Sequence, residues 1–330
     1  MIWIIGDIHG MLDPLVRLIS ATKMKEAMFG KKISKFIFLG DYIDHGPNSK
    51  QVIDYLIDLD YEKVFLAGNH EDMFIQFYNE TEYSKLYRKN WFETNGIRET
   101  IDSFGVSPKI QKKLYFPKIF RFNKEEEFEP KDFRPSNIYF NFLNNLTYSH
   151  KEELKFKNET LKFAFVHAGL SKTHNIEKQL NLKTYSEFHK FLEDEKMDMN
   201  DSTIWTRNIS DEKFGEYILV NGHSPTILIN DFKTDNHYRN NVGYPYLKFT
   251  NSDVFINKSK YFRYNISSSF RDLISINIDT GAVYGGYLTA IGISEKTLEQ
   301  NEIIVLQVNV GGNHRNRADI REFYLHFNDV

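Results

Sequence analysis

Short hydrophobic runs, each ending abruptly in a cluster of glycine, aspartate, asparagine and histidine, recur along this chain. Five carry the pattern: Trp3–Ile5, Lys35–Leu39, Lys63–Ala67, Lys162–Val166 and Tyr217–Val220. Their length and their β-branched and aromatic content predict buried strands. They lead respectively into Gly6–Gly10, Gly40–Gly46, Gly68–Glu71, His167–Gly169 and Asn221–Pro225. Apolar residues at helical spacing predict helices over Asp13–Thr22 and Ser49–Asp58, and a third opening at Asp72–Tyr78. Strand, polar cluster, helix, repeated in that order, predicts an α/β core. Ligands of such sheets gather beyond the carboxyl ends of the strands, so the five clusters read as walls of one site. Ser275–Ile278 is a further strand, and Asp279–Thr289 reads as a turn followed by a hairpin partner. Ile303–Val310 is a late strand of the same kind. Residues 106–160, which include Glu125–Glu127, and residues 226–270 keep neither rhythm, and are expected to be insertions or cover segments on a single domain spanning 1–330.

Composition narrows the function more than the fold. The 330 residues are 41% hydrophobic and 26% charged, as in a soluble globular protein with a large core. With 28 Phe and 19 Tyr, the core or a cleft is rich in rings. A net charge of −3 gives no global attraction to nucleic acid or to an anionic membrane, so anion binding has to be local. The absence of cysteine excludes disulfides, zinc–thiolate sites, iron–sulfur clusters and cysteine nucleophiles. The first residues carry no basic leader, and no apolar run approaches the ~20 residues of a membrane helix. The expectation is a cytoplasmic protein, monomeric or weakly oligomeric, without nucleic-acid or membrane partners.

The clusters supply Asp7, His9, Asp41, Asn69, His167 and His223, a set of oxygen and nitrogen donors. That mixture suits Mn, Fe, Zn or Ni better than Ca, which prefers oxygen alone. Six donors exceed the needs of one open site and suit two ions sharing a carboxylate. Two such ions can clamp the attacking and leaving oxygens of a phosphoryl displacement and ionise a bridging water. Two divalent charges against two carboxylates leave a local positive excess that attracts a phosphate dianion. Each cluster alone is a weak signal, since Asp-x-His commonly opens a turn; the convergence of five is the argument.

Gly6–Gly10, Gly40–Gly46 and Gly68–Glu71 resemble the three signature blocks of the calcineurin-like metallophosphoesterases, and more narrowly of the phosphoprotein phosphatase family. His167–Leu170, Ile204–Arg207, Asn221–Pro225 and Ile278–Gly286 are similar to later blocks of its bacterial branch. The resemblance implies a central β-sandwich of two mixed sheets flanked by helices. It implies that Asp7 and His9 bind one metal, that Asn69, His167 and His223 bind the other, and that Asp41 bridges them. It makes His70 the general acid, oriented by Asp44, against a structural role beside the metal ligands and a helix N-cap as their plainer alternatives. Arg207 is the expected phosphate clamp, with Asn95 a minor contributor on the substrate side. Trp205 is expected in the core, and Asp279 in a turn. Where the family carries arginine after the Asp44 position, this chain has His45, so phosphate contact there is expected to depend on pH or on another cation.

The leading expectation is a phosphomonoesterase acting on phosphorylated protein side chains, with manganese the first choice of metal. Hydrolysis of a dinucleoside tetraphosphate or a related nucleotide is the alternative enzyme. A catalytically silent binding module is the alternative outside enzymes.

Overall fold

The computed structural model describes residues 1–30, 32–79, 91, 94–115, 130–208, 210–226, 243–250, 253–255, 263–310 and 320–328. Its first strand, β1 (Ile2–Ile5), shows how the layers arise. Side chains alternate across a strand. Ile2 and Ile4 enter the core between two sheets, while Trp3 and Ile5 pack under helices on the opposite face. The strand is therefore hydrophobic throughout, as a strand covered on both faces must be.

In chain order the remaining strands are β2 (Lys35–Phe38), β3 (Lys63–Phe65), β4 (His150–Phe156), β5 (Glu159–Phe165), β6 (Tyr217–Asn221), β7 (Tyr246–Phe249) and β8 (Asp253–Phe255). They continue with β9 (Arg263–Ile266), β10 (Leu273–Asn277), β11 (Tyr287–Ile293), β12 (Glu302–Asn309) and β13 (Ile320–Phe327). One sheet has the order β3-β2-β1-β11-β12-β13-β9, the other β4-β5-β6-β10-β7-β8. Both are mixed. β1, β2 and β3 run parallel while β11 and β12 are antiparallel; β5, β6 and β10 run parallel while β4 and β7 are antiparallel. Phe163, Phe165, Val220, Ile276 and Ile291 fill the space between the sheets. Helices α1 (Leu12–Phe29), α2 (Ser49–Asp58) and α3 (Asn69–Tyr78) cover the outer face of the first sheet. With them lie α4 (Ile97–Ser103), α5 (Pro108–Tyr115) and α6 (Asn137–Asn144). The second sheet is backed by α7 (Ile176–Gln179) with Leu170, Leu180 and Phe214, and α8 (Tyr185–Asp194) joins the larger helical cluster. This is the expected sandwich of two mixed sheets flanked by helices. No described helix is long and apolar enough to cross a membrane.

One sequence reading needs correction. The strand after Asp279 is not a hairpin partner of β10. β11 pairs with β1 and β12, so the turn at 278–286 carries the chain from one sheet to the other. A strand–turn–strand pattern looks the same locally whether the second strand folds back or crosses over. The hairpin is instead formed by β11 and β12 around the short helix α9 (Glu295–Glu299). The two arrhythmic stretches also supply strands. β4 and the start of β5 fall within 106–160, and β7, β8 and β9 within 226–270. Residues 116–129, with Glu125–Glu127, and residues 227–242, 251–252 and 256–262 lie outside the described residues.

Candidate metal centre and substrate cavity

Every expected donor lies at the carboxyl end of a parallel strand. Asp7 and His9 follow β1, Asp41 follows β2, and Asn69 opens α3 just after β3, all from the first sheet. His167 follows β5 and His223 follows β6, from the second. The mouth of the sandwich therefore brings together candidate ligands separated by more than two hundred residues. His9, Asp41, Asn69, His70 and His223 line a cavity of about 580 Å3, joined by His45, Asn95, Trp205, Arg207, Asp279 and Tyr284.

The loops are strained to hold them there. His9, Asp41, Asp44, His45 and His223 have φ of 46, 51, 71, 62 and 64°, a left-handed conformation that side chains with a Cβ seldom adopt. Such strain, on the order of 1–2 kcal/mol per residue, clusters where function demands a geometry. Gly222 is required for a different reason: a Cβ there would collide with the Asp7 carboxylate.

Three histidines are each oriented by a backbone carbonyl. His9 Nδ1 lies 3.0 Å from the Ile43 oxygen, His167 Nδ1 2.8 Å from that of Leu39, and His223 Nε2 3.1 Å from that of Trp205. The other nitrogen of each then faces inward. His9 Nε2 and His167 Nε2 stand 3.3 and 3.4 Å from Asp41 Oδ2, and His223 Nδ1 stands 2.9 Å from Asn69 Oδ1. A ring fixed at one nitrogen and offering the other is the arrangement of a metal-ligating imidazole. Asp7 accepts from the His223 amide through Oδ2 at 2.9 Å, while its buried Oδ1 has no hydrogen-bond partner among the described residues. That orphaned oxygen, with Asp7, His9 and Asp41 in one group and Asp41, His167 and His223 in another, fits two divalent ions sharing Asp41.

Electrostatics point the same way. Burial and the nearby Asp279 hold Asp7 well above the carboxylate range, and burial drives His9 down to about 3. Burial also opposes charge on His167, but Asp41 outweighs it and lifts the imidazole to about 10. Asp41 is buried too, yet His167, His70 and His9 keep it ionised, well below its ordinary value. A buried group of carboxylates and imidazoles is thus balanced by borrowed protons, a role that cations fill directly.

Beside this group, His70 Nδ1 lies 2.8 Å from Asp44 Oδ2. Burial disfavours the imidazolium, but Asp41 and Asp44 prevail and raise His70 above its usual value. Asp44 caps no helix: Asn48 precedes α2, and the Asp44 carboxylate accepts from Trp91 Nε1 at 2.6 Å and Thr100 Oγ1 at 2.5 Å. Arg207 is exposed at the rim, donating to the His223 carbonyl at 3.3 Å and to Ser224 Oγ at 3.4 Å. Trp205 packs against the core and also lines the cavity. Asp279 accepts from the Gly281 amide in its turn, and burial pushes it up to about 6.

Sequence reasoning passed over Glu71, Trp91, Thr100 and Tyr284. Glu71 is fully buried and accepts from the amides of Asp41, Tyr42, Ile43 and Gly68, tying two ligand loops together. Its position three residues after Gly68, at the start of α3, is that of the glutamate in a capping box, but glycine has no side chain to return the bond, so the full signature is absent. Trp91 and Thr100 carry no local signal of their contact with Asp44.

Residues 1–257 match the calcineurin-like phosphoesterase family, and the chain belongs to it. Among its described residues are His and Asp groups that could hold metal ions. Over 124 residues it is 29% identical to a zinc-dependent endopolyphosphatase of Saccharomyces cerevisiae, covering 35% of this chain and 37% of that protein. Over 96 residues it is 31% identical to the asymmetrical bis(5'-nucleosyl)-tetraphosphatase PrpE of Oceanobacillus iheyensis, covering 28% and 37%. The chain thus spans little more than a third of the length of these curated relatives. Among solved structures it resembles a cold-active protein-tyrosine phosphatase of a psychrophilic Shewanella species, at 12% identity and a TM-score of 0.45, covering 98% of this chain and 80% of that one.

Proposed function

We propose that this chain is a dinuclear phosphomonoesterase of the phosphoprotein phosphatase type, acting on phosphorylated protein side chains. Asp7 and His9 hold one ion, Asn69, His167 and His223 the other, and Asp41 is shared. When bound, the ions polarise the phosphate and supply an activated water as nucleophile. Arg207 swings from the Ser224 loop to take phosphate oxygens with its planar fork, while Asn95 and His45 face the substrate from the opposite rim. His70 donates a proton to the departing alkoxide, and Asp44 holds its tautomer.

The carrying observation is the His70–Asp44 pair, 2.8 Å apart and buried beside the candidate metal donors. An alkoxide leaves poorly without a proton, whereas a nucleotide phosphate leaves as a stabilised anion and needs none. A positioned acid therefore favours a serine or threonine monoester. Dinucleoside polyphosphate hydrolysis remains the second reading, favoured by the likeness to PrpE and by Trp205 and Tyr284 flanking the cavity, where a base could stack.

Turnover after reconstitution with manganese tests both. The panel holds p-nitrophenyl phosphate, phosphoserine, phosphothreonine and phosphotyrosine peptides, diadenosine tetraphosphate and polyphosphate, each with Asp41→Asn and His70→Asn variants beside the parent. Phosphopeptide turnover is expected, abolished by Asp41→Asn and reduced roughly 10²–10⁴-fold by His70→Asn. Preference for diadenosine tetraphosphate with little effect of His70→Asn would replace the phosphoprotein reading by the nucleotide one.

A further inference from the structure

His45 belongs to a cluster whose members have separate roles in the proposed chemistry but together make a second grouping of donors. Its ring lies 5.0 Å from that of His9 and 5.2 Å from that of His70, and the His9 and His70 rings are 4.8 Å apart. One nitrogen from each comes within 4.8 Å of the other two. His9 Nδ1 is engaged with the Ile43 carbonyl and His70 Nδ1 with Asp44, so each has its Nε2 left to offer. The backbone beneath the third ring is fixed, which leaves the ring itself to turn about its side-chain bonds. His45 has φ of 62°, and Gly96, itself at φ of 77°, packs so closely that a Cβ would strike the His45 nitrogen. The three rings share one wall of the cavity, open to solvent through half-buried His45.

We propose that His9, His45 and His70 form an all-imidazole cation site beside the dinuclear centre, taking zinc, copper or nickel in preference to manganese and switching the enzyme off. Three imidazole nitrogens suit the later first-row ions, whose affinity for such donors follows the order Mn < Ni < Cu > Zn. The ion displaces the proton that His70 otherwise holds, and Asp41 Oδ2 lies 3.3 Å from His9 Nε2 and 3.9 Å from His70 Nε2. Zinc–nitrogen bonds of about 2.0–2.1 Å set tetrahedral ligand nitrogens about 3.4 Å apart, so nitrogens now up to 4.8 Å apart draw together by up to about 1.5 Å, the half-buried ring of His45 turning to close. Occupation ties up His70 Nε2. It also competes for His9 Nε2, which stands 3.3 Å from Asp41 Oδ2 and so faces both sites. Binding needs only the geometry; the switching-off rests on the reading of His70 as proton donor.

The test is a zinc chloride titration of the manganese-loaded full chain. Bound zinc and manganese are counted by elemental analysis after equilibrium dialysis, and phosphoserine-peptide turnover is followed in parallel. The parent is expected to take up a zinc ion and lose turnover together, His45→Asn to weaken that uptake at least tenfold, and His45→Cys, which restores a ligand atom, to recover it. Equal uptake by parent and His45→Asn overturns the site, including the case in which zinc merely displaces manganese from the dinuclear centre; so does an absence of uptake by the parent. Uptake that depends on His45 while turnover persists upholds the site and overturns the role given to His70. Circular dichroism checks that each variant folds, and His45→Gln against His45→Cys decides the matter where His45→Asn does not.

Discussion

Asp44 is completely buried and accepts from His70, Trp91 and Thr100 at once, which fixes the carboxylate and with it the orientation of the His70 ring. Trp91 donates to Asp44, the partner of the proposed proton donor His70, which makes it a candidate positioning residue with a particular signature. Trp91→Phe keeps the ring and removes the N–H, a hydrogen bond to a charged group worth about 1.5–3 kcal/mol. Turnover of a phosphoserine peptide, whose leaving group needs the proton, is expected to fall about tenfold or more. That of p-nitrophenyl phosphate, whose leaving group does not, is expected to stay within about twofold. Equal losses on both substrates would mean that Trp91 merely supports the fold.

At the scale of elements, the ligand loops after β2 and β3 are joined by one side chain on α3. Glu71 Oε1 accepts from the amides of Tyr42 and Ile43, and Oε2 from those of Asp41 and Gly68. Burial, reinforced by Asp41, pushes Glu71 up to about 7 against the pull of these donors. Glu71→Gln turns one oxygen into an N–H2 group facing backbone donors, so buried groups lose their partners at about 1–3 kcal/mol each. The expected result is a lower urea midpoint at unchanged m-value, with weaker manganese affinity because Asp41 shifts. Unchanged manganese binding would show that Glu71 supports the loop without setting the ligand. The elements themselves were largely legible, because the buried strands are hydrophobic on both faces and stop at polar clusters. α2 has the expected bounds, while α1 runs on to Phe29 and α3 begins at Asn69, inside the cluster read as a loop. The donors at the strand ends could be found by residue type, but the pairing of His70 with Asp44 came only through a family resemblance. No local pattern shows that residues 26 apart will meet, and none distinguishes the crossing from β10 to β11 from a hairpin.

For the whole molecule, the decisive fact is that the candidate ligands come from both layers of the sandwich. Asp7, His9, Asp41 and Asn69 stand on the first sheet, His167 and His223 on the second, with Asp41 Oδ2 3.4 Å from His167 Nε2 across the boundary. Between the sheets the core is continuous and apolar, so its cohesion does not depend on ions. At the mouth the situation reverses, because buried carboxylates and imidazoles face each other and cations relieve them. Metal should therefore stabilise the fold as well as enable the reaction. An ion present at a hundred times its Kd contributes about 2.7 kcal/mol, and two contribute about 5.4 kcal/mol. With an unfolding entropy of roughly 2.1 cal/mol/K per residue, a chain of 330 residues gains roughly 8 °C in Tm. Calorimetry of the chelated protein against the manganese-loaded one reads that shift directly, and Asp41→Asn should erase most of it because both ions lose a shared ligand. A Tm that ignores chelation would mean that the strained loops hold their geometry without cations, and that the ions serve the chemistry alone.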